Sequence, residues 1–343
     1  MSDHPLPPGH PLPPGHPLPP ERPFPPERPF PPERPFPPER PFLPERPDGR
    51  PALAVFLNAG DPPAPLAETA RMLDDEGVEV LELAVPFPNS PTDGPVIRRS
   101  AARALAAGTT LDTVLAELTG LVPQLKRLKI ALLADWSYSL RRPDPGHTAR
   151  AIAAAGAHAL LVHALPPRRR PAWQQACRDA GLPQVATCYA TSGPGVLTEA
   201  ARTAHGAYVY LVAHYGRSGT APAAGHRTLK ATVAALNRAA PHTPVAIGFG
   251  VRSATDLEAV AATGARAAVV GSAAVERVEA ALNAGTDPLA ALRAFLRELR
   301  PPHPPRAGGP TRTTTGTTTG AAAGTTGTAV TLTPATREAE PAC

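Results

Sequence analysis

The chain has 343 residues, of which 48 are proline, and a formal net charge of +5 at neutral pH. No run of about eighteen apolar residues predicts a membrane-spanning helix, and the scattered basic residues, with few aromatic residues between them, do not predict a nucleic-acid surface. The three cysteines, Cys177, Cys188 and Cys343, have neither the spacing of a metal site nor that of a disulfide framework. We interpret Cys177 and Cys188 as core residues.

Both ends of the chain are of low complexity. Residues 1–50 repeat proline motifs, with "ERPFPP" three times from Glu21, and residues 301–343 are rich in threonine, glycine and alanine. Dense proline fixes φ, removes backbone donors and favours extended chain over a packed core. We therefore predict disordered tails at 1–50 and 301–343 around a catalytic domain at 51–300. The start lacks the apolar stretch of a signal peptide, so we expect a soluble, cytoplasmic protein.

Between the tails, eight short apolar runs alternate with alanine-rich segments of helical spacing, several of which end in glycine. This alternation predicts right-handed βαβ units in a parallel sheet. Eight such units predict an α/β fold, the (β/α)8 TIM barrel. A doubly wound open sheet is the alternative, but no glycine-rich fingerprint follows the first strand. We predict strands at 52–59, 78–85, 129–135, 159–165, 184–190, 207–214, 244–250 and 267–273.

The second strand carries a lone glutamate, Glu82, inside the apolar run "VLELAV". A carboxylate in a low-dielectric interior is costly unless it is paired or protonated. In a TIM barrel, a polar residue toward the carboxyl end of a strand is typical of catalysis, and the next loop, "PFPNSPTDGP", carries Asp93 over the barrel mouth. Two carboxyl groups in such different surroundings can hold different protonation states. The alternative is an edge-strand glutamate that faces water.

Glycine-bearing turns follow the last three strands: "YGRSGT" at 215–220, "GFG" at 248–250 and "GS" at 271–272. Glycine lets backbone amides approach an anion closely, and the helix after strand 8 adds the positive end of its dipole. TIM barrels often bind phosphate after strands 7 and 8. The turns therefore predict a phosphate site, although any tight turn favours glycine.

Five motifs in order over residues 51–285 resemble the tryptophan synthase α subunit family. They are "FLNAGDP" on strand 1, "LELAVPF" five residues before "DGP", "YVYLV" on strand 6, "GFGV" and "GS". The resemblance implies a TIM-barrel lyase of L-tryptophan biosynthesis that cleaves indole-3-glycerol phosphate to indole and glyceraldehyde 3-phosphate, with no cofactor or metal of its own. It also implies a hetero-oligomer, α2β2, with the β chain that condenses indole with serine.

The resemblance assigns roles to particular residues. Glu82 matches the general acid/base that protonates carbon 3 of the indole and takes the proton from the glycerol hydroxyl. Asp93 matches the carboxylate that accepts a hydrogen bond from the indole nitrogen as positive charge develops. The other matches are the ring-packing positions, Phe56 and Tyr210, and the phosphate-binding positions, Ser218, Gly219, Gly250, Gly271 and Ser272.

Several positions depart from the family pattern. Asp135 and Ser137 stand where the family has a tyrosine and an asparagine after strand 3, and Ala164 stands where it has an aspartate at the subunit contact. Ala84 replaces a glycine after the catalytic glutamate, Asn89 replaces an acidic loop residue, and the proline tract replaces the amino-terminal helix over the barrel floor. Two other hypotheses follow: a catalytically weakened binding or allosteric partner of a β chain, or a paralogous phosphate-binding barrel lyase of specialised metabolism.

Three polar residues at strand ends have no assigned role. Asp135 is either a new polar contact in the pocket or a solvated strand end. We interpret His163 and His214 as pocket or surface histidines rather than metal ligands, because no second ligand has suitable spacing.

Overall fold

The computed structural model describes residues 42–300, except residues 205, 214–225 and 249. Eight strands in these residues follow the predicted order, each within two residues or so of its predicted start. They are β1 Ala52–Asn58, β2 Val80–Ala84, β3 Lys129–Asp135, β4 Ala159–His163, β5 Ala186–Tyr189, β6 Val209–Val212, β7 Val245–Gly248 and β8 Ala267–Val270.

The strands form one parallel sheet in the order β4-β3-β2-β1-β8-β7-β6-β5. The two ends of this order meet at an isolated parallel bridge between Leu160 and Gln184. There the Leu160 amide donates to the Pro183 carbonyl and the Val185 amide donates to the Leu160 carbonyl, each at 2.9 Å. The sheet therefore closes, and the prediction of a TIM barrel is confirmed.

Helices cover the outside of the barrel, and their ends follow local sequence signals. Thr110 and Ser253 form capping boxes at the starts of two helices, and Gly264 ends the helix that Ser253 begins, in the left-handed conformation. The helices are α1 Leu66–Asp75, α2 Pro95–Ala106, α3 Leu111–Leu121, α4 Pro145–Ala154, α5 Arg170–Asp179, α6 Pro194–Thr203, α7 His226–Ala239, α8 Ala254–Thr263, α9 Ser272–Asn283 and α10 Pro288–Leu299.

The apolar core has two parts, because successive side chains of a strand point to opposite faces. The larger part lies between the strands and the helices and includes Leu53, Leu81, Trp173 and Phe295. The smaller part lies inside the barrel and is lined mainly by alanines near the starts of the strands: Ala52, Ala54, Ala131, Ala159, Ala246 and Ala267. Small side chains here leave space inside the barrel for larger groups from elsewhere in the chain.

That space is filled by residues from before the first strand. Phe42 and Leu43 are buried inside the barrel, and the Phe42 ring lies 5.4 Å from the ring of Tyr208, between centroids. Lys129 holds the segment, because its Nζ donates to the Phe42 carbonyl at 3.0 Å and lies 4.9 Å from the centre of the Phe42 ring. The packed chain thus begins before the domain boundary that we predicted after residue 50.

Other predictions fall partly outside the described residues. Residues 1–41 and 301–343, which make up most of the two predicted tails, lie outside them, as do His214, Ser218, Gly219 and Cys343. Cys177 and Cys188 are buried and free, and burial raises the pKa of each thiol to about 12. No single helix among the described residues is long and apolar enough to cross a membrane. Among these helices, only the bent pair Pro95–Ala106 and Leu111–Gln124, taken together, has the necessary length and composition.

We expect Phe42→Ala to lower the free energy of unfolding by about 3 kcal/mol, because it empties a buried aromatic site at the barrel floor. Urea unfolding measures the difference. Phe36→Ala is the matched control, since Phe36 has the same place in the preceding "ERPF" repeat, within the predicted tail. Equal effects of the two substitutions would contradict a specific role of Phe42 in sealing the barrel.

Candidate active site

A cavity of about 240 Å³ opens at the carboxyl ends of the strands. The inward-facing positions of all eight strands contribute to its wall, as expected for the functional end of a TIM barrel. Every predicted site residue that the structure describes lies in this wall: Phe56, Glu82, Asp93, Tyr210, Gly250, Gly271 and Ser272.

Glu82 lies in the middle of β2, and only 1% of its surface is exposed. Its neighbours in the sheet are Phe56 on β1 and Ala131 on β3. Burial raises the pKa of Glu82 from 4.5 to about 7, although a hydrogen bond from Tyr208 acts in the opposite direction. Near neutral pH, Glu82 can therefore both give and take a proton, which is the requirement for general acid/base catalysis.

Tyr208 contacts Glu82 directly, and this contact was not predicted from the sequence. Tyr208 is fully buried, and its hydroxyl donates to Oε1 of Glu82 at 2.6 Å. The signal was present, because Tyr208 lies two residues before Tyr210 in "AYVYLVAH" and so points to the same face of the strand. The contact joins the residue immediately before β6 to β2 across the barrel, and strand spacing alone does not predict it.

Asp93 is half-buried on the loop between β2 and α2, immediately before Gly94, which caps the start of α2. Both carboxyl groups affect the pKa of the Tyr210 hydroxyl. Burial raises this pKa, and the charges of Glu82 and Asp93 raise it further. The structure therefore brings together one buried and one half-buried carboxyl group in a single cavity, as we predicted from their positions in the sequence.

The two predicted ring-packing residues lie against glycines of the last two strands. A Cβ atom at Gly248 would fall 2.6 Å from Cε2 of Tyr210, so the Tyr210 ring fits only because this position has no side chain. A Cβ atom at Gly271 would fall 3.5 Å from Cβ of Phe56. Glycine at position 248 thus makes room for the Tyr210 ring, whereas a Cβ atom at position 271 would meet Phe56 at an ordinary contact distance.

The wall formed by β7 and β8 has the features of an anion site. Gly250 has a positive φ of 76°, Gly271 occupies the N-cap position of the twelve-residue helix α9, and Ser272 begins that helix. The free amides and the positive dipole end of α9 therefore lie at the cavity, where they favour an anionic group. The other two predicted phosphate residues, Ser218 and Gly219, lie outside the described residues.

Ion pairs hold α9 against the loop that follows β1. Arg103 of α2 donates to both carboxylate oxygens of the buried Asp61, each at 2.9 Å, and to Glu279 of α9 at 2.9 Å. Arg99 pairs with the same Glu279, and hydrogen bonds from the two arginines lower the pKa of Glu279 to about 2. The motif "AGDP" is thus linked through Arg103 to α9, whose first residues line the cavity.

The contact between Asp135 and His163 decides between the two interpretations of Asp135, a polar contact in the pocket or a solvated strand end. Asp135, at the end of β3, is 4% exposed, and its Oδ2 lies 2.9 Å from Nδ1 of His163 at the end of β4. Both residues line the cavity, so Asp135 is a polar contact within it and not a solvated strand end. Within the described residues, no group of three or more potential ligands is arranged to hold a metal ion.

A family model of the tryptophan synthase alpha chain matches residues 43–301. The tryptophan synthase alpha chain of Burkholderia multivorans is 35% identical over 256 residues, which are 74% of this chain and 91% of that protein. That of a Synechocystis species is 36% identical over 253 residues, which are 74% and 93% of the two chains. This chain belongs to the tryptophan synthase alpha chain family.

Solved structures agree with this membership. The crystal structure of tryptophan synthase subunit alpha from Legionella pneumophila matches with a TM-score of 0.64 at 26% identity, covering 73% of this chain and 91% of that one. The protein is therefore a TIM-barrel lyase of tryptophan biosynthesis that cleaves indole-3-glycerol phosphate, and these predictions are confirmed. Members of the tryptophan synthase alpha chain family in general work with a β chain.

The raised pKa of Glu82 predicts a specific pH dependence of stability. The folded protein holds this proton more tightly than the unfolded chain, so the stabilisation is complete below pH 4.5 and is lost as the pH rises through about 7. We expect the free energy of unfolding of the native protein to fall by about 3 kcal/mol relative to Glu82→Gln between pH 4.5 and pH 8. Urea unfolding across this range, with the exposed Glu258→Gln as control, tests it. A pH-independent difference would contradict the raised pKa.

Proposed function

We propose that Glu82 is the general acid/base of indole-3-glycerol phosphate cleavage in this chain and that Asp93 binds the indole nitrogen. The observation that carries the proposal is the burial of Glu82 in the wall of the cavity, with a pKa of about 7. Asp93 lies in the same wall, and the start of α9 offers an anion site in it. A substrate with an aromatic ring at one end and a phosphate at the other fits this arrangement.

The reaction needs proton transfer at two atoms. Protonation of indole carbon 3 makes the ring an electron sink and places positive charge on its nitrogen. Removal of the proton from the neighbouring glycerol hydroxyl then lets the carbon–carbon bond break, which releases glyceraldehyde 3-phosphate, while the bonding electrons return to the ring to give indole. A carboxyl group with a pKa near neutrality can serve both transfers in turn. Asp93, as a carboxylate, stabilises the positive charge on the ring.

Tyr208 supports Glu82 without taking part in proton transfer. Its hydroxyl donates to Oε1, which fixes the orientation of the carboxyl group and favours the ionised form. The second oxygen of Glu82 is then left for the substrate. Phe56 and Tyr210, packed against Gly271 and Gly248, provide flat apolar surfaces for the indole ring.

For the phosphate group we propose Gly250, Gly271 and Ser272, together with Ser218 and Gly219, which follow β6 in the sequence. The start of α9 provides free backbone amides, and the ion pairs of Arg103 hold that helix in place. The proposed assembly is a hetero-oligomer with a tryptophan synthase β chain, of the type α2β2, in the cytoplasm. The indole released in the barrel is then the substrate of that partner.

Indole release from indole-3-glycerol phosphate, measured with and without a β chain, tests the roles of the two carboxylates. Glu82→Gln keeps the volume of the side chain but removes proton transfer, so we expect kcat to fall by about 10² to 10⁴. Asp93→Asn should be similarly damaging through the loss of charge stabilisation. Tyr208→Phe is the control for packing near Glu82, and we expect it to lose less activity than Glu82→Gln.

Native turnover by Glu82→Gln would overturn the acid/base assignment. If the native chain itself released no indole with a β chain present, the roles proposed here for Glu82 and Asp93 would be wrong. The chain would then be a binding or allosteric partner of the β chain, or a lyase for another phosphorylated substrate.

A second experiment tests the phosphate site. Gly250→Ala forces a side chain into a left-handed conformation and moves the neighbouring amides, so we expect glycerol phosphate to bind roughly tenfold more weakly while indole binds as before. Gly264→Ala is a matched control, because Gly264 has a similar φ of 80° and open space around its Cα, but lies at the end of α8. Calorimetry with both ligands measures the affinities. Equal losses for the two ligands would show general damage to the barrel.

A further inference from the structure

We propose that Asp135 and His163 form a positioning pair, which acts through Thr92 to hold the loop that carries Asp93. The proposal rests on the proposed function of Asp93 and adds two residues to the machinery of the reaction. Both residues of the pair line the cavity, at the ends of β3 and β4, yet neither has a place in the proton transfers described above.

Asp135 is the fixed end of this arrangement. One of its oxygens, Oδ1, accepts hydrogen bonds from the amides of Ser137 at 2.8 Å and Tyr138 at 3.1 Å, so it caps the short helical turn Trp136–Leu140. The other oxygen, Oδ2, contacts Nδ1 of His163 at 2.9 Å. With both oxygens engaged and 4% of the residue exposed, the carboxylate cannot rotate without losing contacts.

The contact with Asp135 determines how the imidazole of His163 is protonated. A carboxylate only accepts hydrogen bonds, so Nδ1 of His163 must be the donor. In the neutral ring, Nε2 is then an acceptor. It lies 3.4 Å from Oγ1 of Thr92, whose hydroxyl can donate to it, and Oγ1 of Thr92 also lies 3.3 Å from Oγ of Ser90. Thr92 is the residue immediately before Asp93.

A second contact joins the same loop to the same two strand ends. The ring of Phe87 stacks on His163, with centroids 5.6 Å apart, and on Tyr138, also at 5.6 Å. Phe87 lies near the start of the loop and Thr92 near its end. His163 therefore touches the loop at both of these points, through the face of its ring and through Nε2.

The composition of the loop explains why it needs such support. Between β2 and α2 it contains Pro86, Pro88 and Pro91, which have no backbone N–H to donate, and Asn89 adopts a positive φ of 58°. A loop with few backbone donors depends more on its side chains for a defined conformation. A displacement of about 1 Å at a catalytic group can cost 10²-fold in rate, so the support of Thr92 bears directly on Asp93.

The test compares two substitutions at position 92. Thr92→Val has nearly the shape of threonine but no hydroxyl, whereas Thr92→Ser keeps the hydroxyl. We expect Thr92→Val and His163→Ala each to lower kcat for indole release by roughly tenfold or more, with the affinity for glycerol phosphate unchanged, because the phosphate site lies on β7 and β8. Thr92→Ser should stay within about twofold of the native rate.

A double variant shows whether the two residues act through one contact. If they do, Thr92→Val combined with His163→Ala loses no more activity than the larger single loss. Additive losses would overturn the proposal, as would native kcat in both single variants. An equal fall in glycerol phosphate affinity would also overturn it, because it would show general damage to the cavity.

Amide hydrogen exchange over residues 86–94 separates this proposal from the proposed function, because it needs no turnover. We expect several-fold faster exchange there in Thr92→Val and His163→Ala than in the native protein, and native exchange in Thr92→Ser. If the native chain released no indole but the exchange followed this pattern, the positioning pair would stand while the activity failed. Unchanged exchange in all three variants would overturn the pair.

Discussion

The burial of one carboxyl group, Glu82, is the constraint on which the rest of the structure depends. Its pKa reaches about 7 only because water is excluded from the barrel interior around it. That exclusion begins at the opposite end of the barrel, where Phe42 and Leu43 fill the space between alanines. Phe42 contacts Tyr208, and Tyr208 donates to Glu82. A segment that precedes the first strand is thus connected, through the ring of Tyr208, to Glu82, the proposed general acid/base.

The two ends of the barrel have different roles, stability at the floor and the cavity at the mouth. At the floor, apolar contacts stabilise the closed sheet and exclude water. At the mouth, Gly248 at the end of β7 makes room for the Tyr210 ring, and ion pairs between Arg103, Asp61 and Glu279 hold α9 in place. These ion pairs join three separate elements, so the position of α9, and with it the proposed phosphate site, depends on the packing of the barrel and not on the loop after β8 alone.

The sequence predicted local features well and contacts between distant residues poorly. Strand positions followed from short apolar runs, and Glu82 stood out because a charge interrupts such a run. Phe42 could not be distinguished from Phe36, since both lie in "ERPF" repeats, and only its distance from β1 brings it to the barrel floor. The contacts of Tyr208 with Glu82 and of Asp135 with His163 join residues that are far apart in the sequence and belong to different βα units. Alternation along one strand predicts which face a side chain occupies but not its partner across the barrel.

Asp135 and His163 have to be understood together. A carboxylate with 4% exposure at a strand end is costly unless its charge is compensated, and here two backbone amides and an imidazole provide that compensation. An aspartate at position 135 without His163 would leave Oδ2 without this partner, and His163 without Asp135 would have no fixed tautomer. The departure from the family pattern at position 135 therefore has to be considered together with the contact that Asp135 makes with His163. Its effect reaches beyond the strand ends, because the second nitrogen of His163 faces the loop before Asp93.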